Sequence, residues 1–190
     1  MMPAYESTTL VGAAATRAAL LEAGRTIFAE VGFSGARLED ISSEANVTTG
    51  AFYGHFDTKL DFFAEIFRDF STEMSEKLDQ CKSLNEALET YLSVSRQNRG
   101  VVRASSELLL REPLHVEERK QFRLRSADAL AWQLHRTLTQ SEARLASRFL
   151  VDLLDQVLIS EAEGRLEEQS SAEVAKVLIA LIEGKVISAW

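Results

Sequence analysis

From residue 13 to residue 186, apolar side chains return at intervals of three and four, and Pro113 is the one proline that interrupts them. That period places apolar groups on one face of an α-helix and on both faces of a strand. With so few breakers, the chain is confined to an all-α fold. The first helix is predicted over 13–31, with Leu20, Ala23, Ile27, Phe28 and Val31 on its apolar face. Gly32 is expected to stop it and residues 33–35 to turn, while residues 1–11, polar and aperiodic, are expected to fray. A short helix over 38–45 follows. Asn46 breaks it, and Thr48 is placed to cap a third helix that buries Phe52 and Phe56.

Thr58 or Asp57 can cap a long helix carrying Leu60, Phe63, Phe67, Phe70, Met74 and Leu78. Further helices are expected over 85–97, 101–111 and 116–138, the last with a stripe of Phe122, Ala129, Trp132 and Leu138. Ser141 is expected to cap a helix to about 163, ended by Gly164, and Ser171 a final one over 172–186. The pattern divides into a three-helix unit at residues 12–60 and a larger helical unit at 61–190.

Composition narrows the function. Cys81 is the only cysteine, so neither an intrachain disulfide nor a cysteine zinc site is available, and a reducing cytoplasmic compartment is expected. His55, His115 and His135 stand apart, without a nucleophile motif, a zinc-protease motif or a phosphate-cradling glycine loop. No enzyme, cofactor or metal is therefore expected. The apolar stretch from Val174 to Trp190 is cut by Lys176, Glu183 and Lys185, so it does not read as a membrane span. Ala13–Ala15 lacks the basic start and apolar core of a signal peptide. A net charge of −8 argues against a general nucleic-acid binder, and leaves open a small DNA-binding head on an acidic body.

Two short helices joined by a tight turn, with a first helix packed across them, are the parts of a DNA-binding helix-turn-helix. The second short helix must enter the major groove. Its outer face therefore needs small or hydroxyl side chains, and Thr48, Thr49, Gly50, Ala51 and Gly54 supply them. Phe52 and Phe56 supply the buried bulk, while Tyr53, His55 and Lys59 add donors for the DNA backbone.

Residues 16–63 resemble the TetR-type repressors. The likeness is carried by Ala23, Phe28, Gly32, Phe33, Leu38, Asp40, Ile41, Ala45, Val47 and the run TGAFYGHFDTKLDFF from Thr49 to Phe63. The resemblance implies an N-terminal helix-turn-helix DNA-binding head on a helical-bundle body that binds ligand and dimerises. It further implies that Thr49, Gly50 and Tyr53 read or approach bases, and that Arg37, Thr48, Tyr53, His55 and Lys59 grip phosphates. Ala36 and Asn46 depart from the family's usual Thr and Gly; Arg37 can replace the first, and Asn tolerates the left-handed turn. Residues 16–60 hold four basic residues (Arg17, Arg25, Arg37, Lys59) and six acidic ones (Glu22, Glu30, Glu39, Asp40, Glu44, Asp57), a net of −2. Each head neutralises few phosphates, so binding is expected to depend on a dimer.

In the body, Phe63, Phe67, Phe70, Tyr91, Phe122, Trp132 and Phe149 either line a ligand pocket or form plain bundle core. Arg103, Glu107, Arg111, Gln121, Arg125 and His135 lie on helices where such proteins orient a ligand. The candidate ligand-binding set is Phe67, Arg103, Glu107, Arg111, Phe122, Arg125 and Trp132. The stripes Leu145–Phe149–Leu153–Val157 and Val174–Leu178–Leu181–Ile182 either close the body's own core or pair with a second chain, and the resemblance implies the latter, a homodimer through helices 141–163 and 172–186. The expected function is a sequence-specific repressor of operator DNA, released by a small-molecule inducer. The alternative is an all-helical adaptor that does not bind DNA.

Overall fold

The computed structural model describes residues 4–109, 111–135 and 138–182, with the backbone alone for residues 4–11. Among these residues the regular structure is helical throughout: α1 (Ala4–Gly35), α2 (Leu38–Glu44), α3 (Thr49–Tyr53), α4 (Lys59–Gln80), α5 (Leu84–Gln97), α6 (Arg99–Leu108), α7 (Pro113–Leu134), α8 (Gln140–Ala162) and α9 (Ser171–Ile182).

Several boundaries differ from the sequence expectation, each for a local reason. Helix α1 starts at Ala4, not near residue 13, so residues 4–11 are helical rather than frayed. At its other end Gly32 breaks the helical path, where the helix is expected to stop. Its φ of 71° leaves the helical path, at a position where glycine alone carries no Cβ penalty, and helix resumes to Gly35. Val31, one residue before the bend, is exposed. Pro113 opens α7 at its first turn, where its missing N–H is no loss. Helix α8 is capped by Thr139 rather than Ser141, because Thr139 and Glu142 form a reciprocal capping box. Helix α9 takes its cap from Ser170, whose hydroxyl accepts from Glu173 N at 3.1 Å. The expected continuation to residue 186 lies outside the described residues.

The stripe expected on α7 is corrected. Its buried face is His115, Arg119, Phe122, Ser126, Leu130 and Leu134. Trp132 lies well round the helix from that face and is exposed, and Leu138 falls beyond the helix end. The error comes from spacing the apolar residues by seven and three when the buried face advances by three and four and carries polar members.

One continuous core runs from head to body. Phe28, Ile41, Phe52 and Phe56 close the head around Phe62 at the start of α4, with ring centroids 4.8 to 6.0 Å from Phe62 to the other three phenylalanines. Each fully buried ring contributes about 2–3 kcal/mol by removal from water. Further along α4, Phe63, Ile66, Phe67, Phe70 and Met74 pass that core into the body. Phe62 and Ile66, absent from the predicted stripe, are fully buried because both sides of α4 are covered. Helix α6 lies against α1 at backbone distance. A Cβ on Gly100 would stand 2.5 Å from Arg25 O and 2.6 Å from Ala29 N, so a larger residue there would push the two helices apart.

Candidate nucleic-acid interface

The α2–α3 turn is built by its own backbone. Asn46 adopts φ 55°, the left-handed conformation that Asn tolerates, and the chain closes through Asn46 N to Ser43 O (3.0 Å) and Val47 N to Ser42 O (2.9 Å). Thr48 then caps α3, its hydroxyl accepting from Ala51 N at 3.1 Å. With Phe52 fully buried, the opposite face of this one-turn helix points outward and presents Thr48, Gly50, Tyr53 and Gly54, all exposed. Thr49 is half-buried.

Two features suit this face to a large partner. Tyr53 is 58% exposed, yet its ring is fixed edge-on against Phe52 at 5.7 Å. Gly50 has no internal reason to be glycine, since a Cβ there would meet only Thr48 Oγ1, at 3.7 Å. Its missing side chain leaves open space on the outer face of α3.

The charged residues are more committed than their spacing suggested. Lys59 Nζ donates to Phe33 O and Ala36 O, both at 2.8 Å, and sits 4.5 Å over the Phe33 ring. Its pKa is lowered by burial, an effect that nearby Glu107 partly opposes. Lys59 therefore staples the α1–α2 connection, with one N–H left over. Arg17 lies over the Phe56 ring at 4.3 Å, pairs with Glu65 and donates to His55 O at 3.2 Å. Arg25 pairs with Asp69 at 3.3 Å and with Glu22. Of the four head cations, only Arg37, exposed at the start of α2, has no side-chain partner among the described residues. His55 is half-buried beside Phe56, ring centroids 6.4 Å apart.

The residues proposed for ligand do not converge on one cavity. Phe67 and Phe122 do meet, centroids 5.8 Å apart, within a packed aromatic cluster with Phe70 and Tyr91. Arg103, Glu107 and Arg111 instead brace α6 against the bend of α1. Arg103 Nη1 donates to Ala29 O (3.3 Å) and Glu30 O (2.9 Å), Glu107 accepts from Ser34 N (2.8 Å), and Arg111 reaches Ser34 Oγ at 3.3 Å. Arg125 donates to Ser71 Oγ at 2.8 Å. Trp132 and Phe149 are exposed on α7 and α8, Gln121 pairs with Glu117, and His135 lies exposed at the end of α7.

Sequence reasoning missed a buried polar chain across the body. Tyr91 Oη donates to Asp155 Oδ1 (2.7 Å), and Arg119 donates to Asp155 Oδ2 (3.0 Å) and Ser105 Oγ (2.8 Å). Ser105 Oγ lies 2.8 Å from His115 Nε2, whose ring packs edge-on against Phe63 and Phe67. Burial, then the Arg119 charge, lowers the His115 pKa to about 4, so the ring is neutral at neutral pH. Burial, then Asp155, raises the Tyr91 phenol well above its ordinary value. The available signal was the spacing of His115, Arg119 and Phe122, which puts two polar groups on the face of α7 that a lone apolar residue marks as inward.

Residues 20–66 match the profile of bacterial regulatory proteins, tetR family. The chain is 34% identical over 59 residues to the HTH-type transcriptional repressor DhaR of Mycobacterium sp. (strain GP1), a match covering 31% of this chain and 30% of that protein. It is 45% identical over 58 residues to the HTH-type transcriptional repressor BepR of Brucella suis biovar 1 (strain 1330), covering 30% and 28%. These matches thus span less than a third of either relative. Over the whole fold, the chain is similar to a transcriptional regulator (TerR/AcrR family) from Aquifex aeolicus VF5, with a TM-score of 0.71, 25% identity, and coverage of 88% of this chain and 99% of that one.

Proposed function

We propose that the chain is a homodimeric, sequence-specific repressor that a small molecule releases from operator DNA, a reading supported by the match of residues 20–66 to the tetR-family profile. Residues 12–60 act as the DNA-binding head and 61–190 as the sensing and dimerising body. The observation that carries the reading is the outer face of α3. A rigid exposed tyrosine, a capping threonine and a glycine with no internal purpose are held there over a buried phenylalanine pair. Tyr53, Thr49 and Gly50 approach the bases. Arg37, Thr48, His55 and the remaining N–H of Lys59 meet phosphates.

Affinity comes from pairing two heads. Three of the four head cations have intramolecular partners, so a single head neutralises few phosphates and releases few counterions. The surface that supports pairing is apolar and exposed. Leu145, Phe149 and Leu153 stand one turn apart on α8, with Val177 and Leu181 outward on α9. Two such faces would bury one another in a four-helix bundle. The symmetric dimer then offers its recognition helices about 34–36 Å apart, to half-sites one DNA turn apart.

Two measurements test this. Light scattering should give a dimer that Phe149→Glu converts to monomer. Gel shifts with DNA from the chain's own promoter region should show saturable, sequence-selective binding that Tyr53→Ala abolishes while the dimer survives. A folded dimer that shifts no such DNA overturns the repressor reading in favour of a helical adaptor.

A further inference from the structure

The net charge of the chain is −8, yet one groove of the body is strongly basic. A cavity of about 600 Å³ opens between α6, α7 and α8. Arg119, Lys120, Arg123 and Arg148 line it, against a single acid, Asp152. Apolar wall comes from Leu109, Val116 and Val151. Its volume falls within the usual range for a small-molecule site.

The cations are unequally engaged. Lys120 pairs with exposed Glu117, at 3.2 Å. Arg123 pairs with Asp152, and its buried Nε faces Asp155 Oδ2 at 3.4 Å, an ion pair without hydrogen-bond geometry. Arg148, exposed on α8, makes no ion pair or side-chain hydrogen bond among the described residues. Arg148 is thus the cation of the groove left without a counter-charge among the described residues, and an anion beside it would supply one.

We infer that this groove binds an amphipathic anion, an apolar chain ending in a carboxylate or phosphate. The anionic end lies between Arg123 and Arg148, where oxygen acceptors satisfy the free guanidinium donors with charge-assisted hydrogen bonds. The apolar chain lies along Leu109, Val116 and Val151. The inference rests on the ligand-released reading above for its consequence. Arg119 in the groove wall bonds Ser105 of α6 and, through it, reaches His115 and the α4 phenylalanines. An anion that draws on Arg119 and Arg123 competes with Asp155 at the centre of that chain.

The test is calorimetric titration of the full chain with three probes: decanoate, decan-1-ol and acetate. Decanoate is expected to bind one site per chain at least tenfold more tightly than decan-1-ol, and acetate not to bind. Arg148→Glu and, separately, Arg123→Gln are expected to weaken decanoate at least tenfold and leave decan-1-ol unchanged. Arg148 is exposed and unpaired, so its substitution does not threaten the fold. No decanoate binding, equal affinity for decanoate and decan-1-ol, or decanoate binding indifferent to Arg148→Glu would each overturn the inference. The last would place the probe on the exposed α8–α9 stripe instead. Operator binding without any probe is measured in parallel. Its loss counts against the repressor reading alone, and its presence beside a silent groove counts against the groove alone.

Discussion

Replacing Lys59 with methionine keeps the aliphatic stem and removes the ammonium. The structure assigns that ammonium two hydrogen bonds of 2.8 Å, to Phe33 O and Ala36 O, and a place 4.5 Å over the Phe33 ring. A hydrogen bond to a charged group contributes about 1.5–3 kcal/mol, and an exposed cation–π contact about 0.5–1 kcal/mol. The sum is an upper bound. Lys59 is half-buried, its burial already disfavours the charge, and water can reach part of the vacated site. A net loss of about 2–3 kcal/mol follows, most of it from carbonyls left short of donors. For a chain of this size each kcal/mol shifts Tm by about 2–4 °C, so Lys59→Met should lower Tm by about 4–12 °C. The assay is thermal unfolding followed by circular dichroism without DNA, at fixed protein concentration. A Tm unchanged within 2 °C, together with lost operator affinity and a salt slope shallower by about 2 per dimer, would refute the staple and make Lys59 purely a phosphate contact.

Other outcomes follow from the same geometry. Gly50→Ala should leave thermal stability equal or raise it by about 0.5–1 kcal/mol, because helix gains and nothing inside is crowded, while operator affinity in gel shifts falls at least tenfold. His115 titrates at about 4 when folded and near 6.5 when unfolded, so the unfolded chain binds more protons between those values and stability falls as pH drops from 6.5 to 4. Denaturant titrations at several pH values should show His115→Gln losing roughly 1–3 kcal/mol less than the parent across that window. Asp155→Ala leaves Arg119 and the Tyr91 hydroxyl without their acceptor and should cost about 3–5 kcal/mol in chemical denaturation.

The head was nearly all legible in the sequence because its determinants are local. Helical spacing gave Phe28, Phe52 and Phe56, a threonine gave the α3 cap, and the Asn46 break fell where the backbone turns over. The body was legible as helices but not as a site. An arginine on a helix reads as solvated surface, and nothing in the spacing of Arg103 or Arg119 tells which meets water. Arg103 finds α1 carbonyls and Arg119 finds Asp155, partners 73 and 36 residues away respectively. The same limit hid the use of Lys59, whose partners are carbonyls and have no side-chain signature. Trp132 shows the opposite error: a large aromatic was assigned inward by type, although its angle on α7 points it out.

Two links join head and body. Helix α4 is one, since its phenylalanines run from one unit to the other. The second is α6, which touches α1 backbone to backbone at Gly100 and grips its bend with Arg103 and Glu107. The two links converge: Glu107 also acts on Lys59, the residue that opens α4 and ties it to the α1–α2 turn. Behind them lies one polar chain, in which Ser105 of α6 and His115 against α4 are hydrogen-bonded neighbours. A shift of Arg119 therefore acts on both links together. Close-packed interiors transmit small displacements rather than absorb them, so under the proposed release a small change there would be passed on to the head. In the dimer proposed above, two heads would meet successive major grooves, each with few charged contacts, and a coupling of only about 1–3 kcal/mol would separate bound from released states.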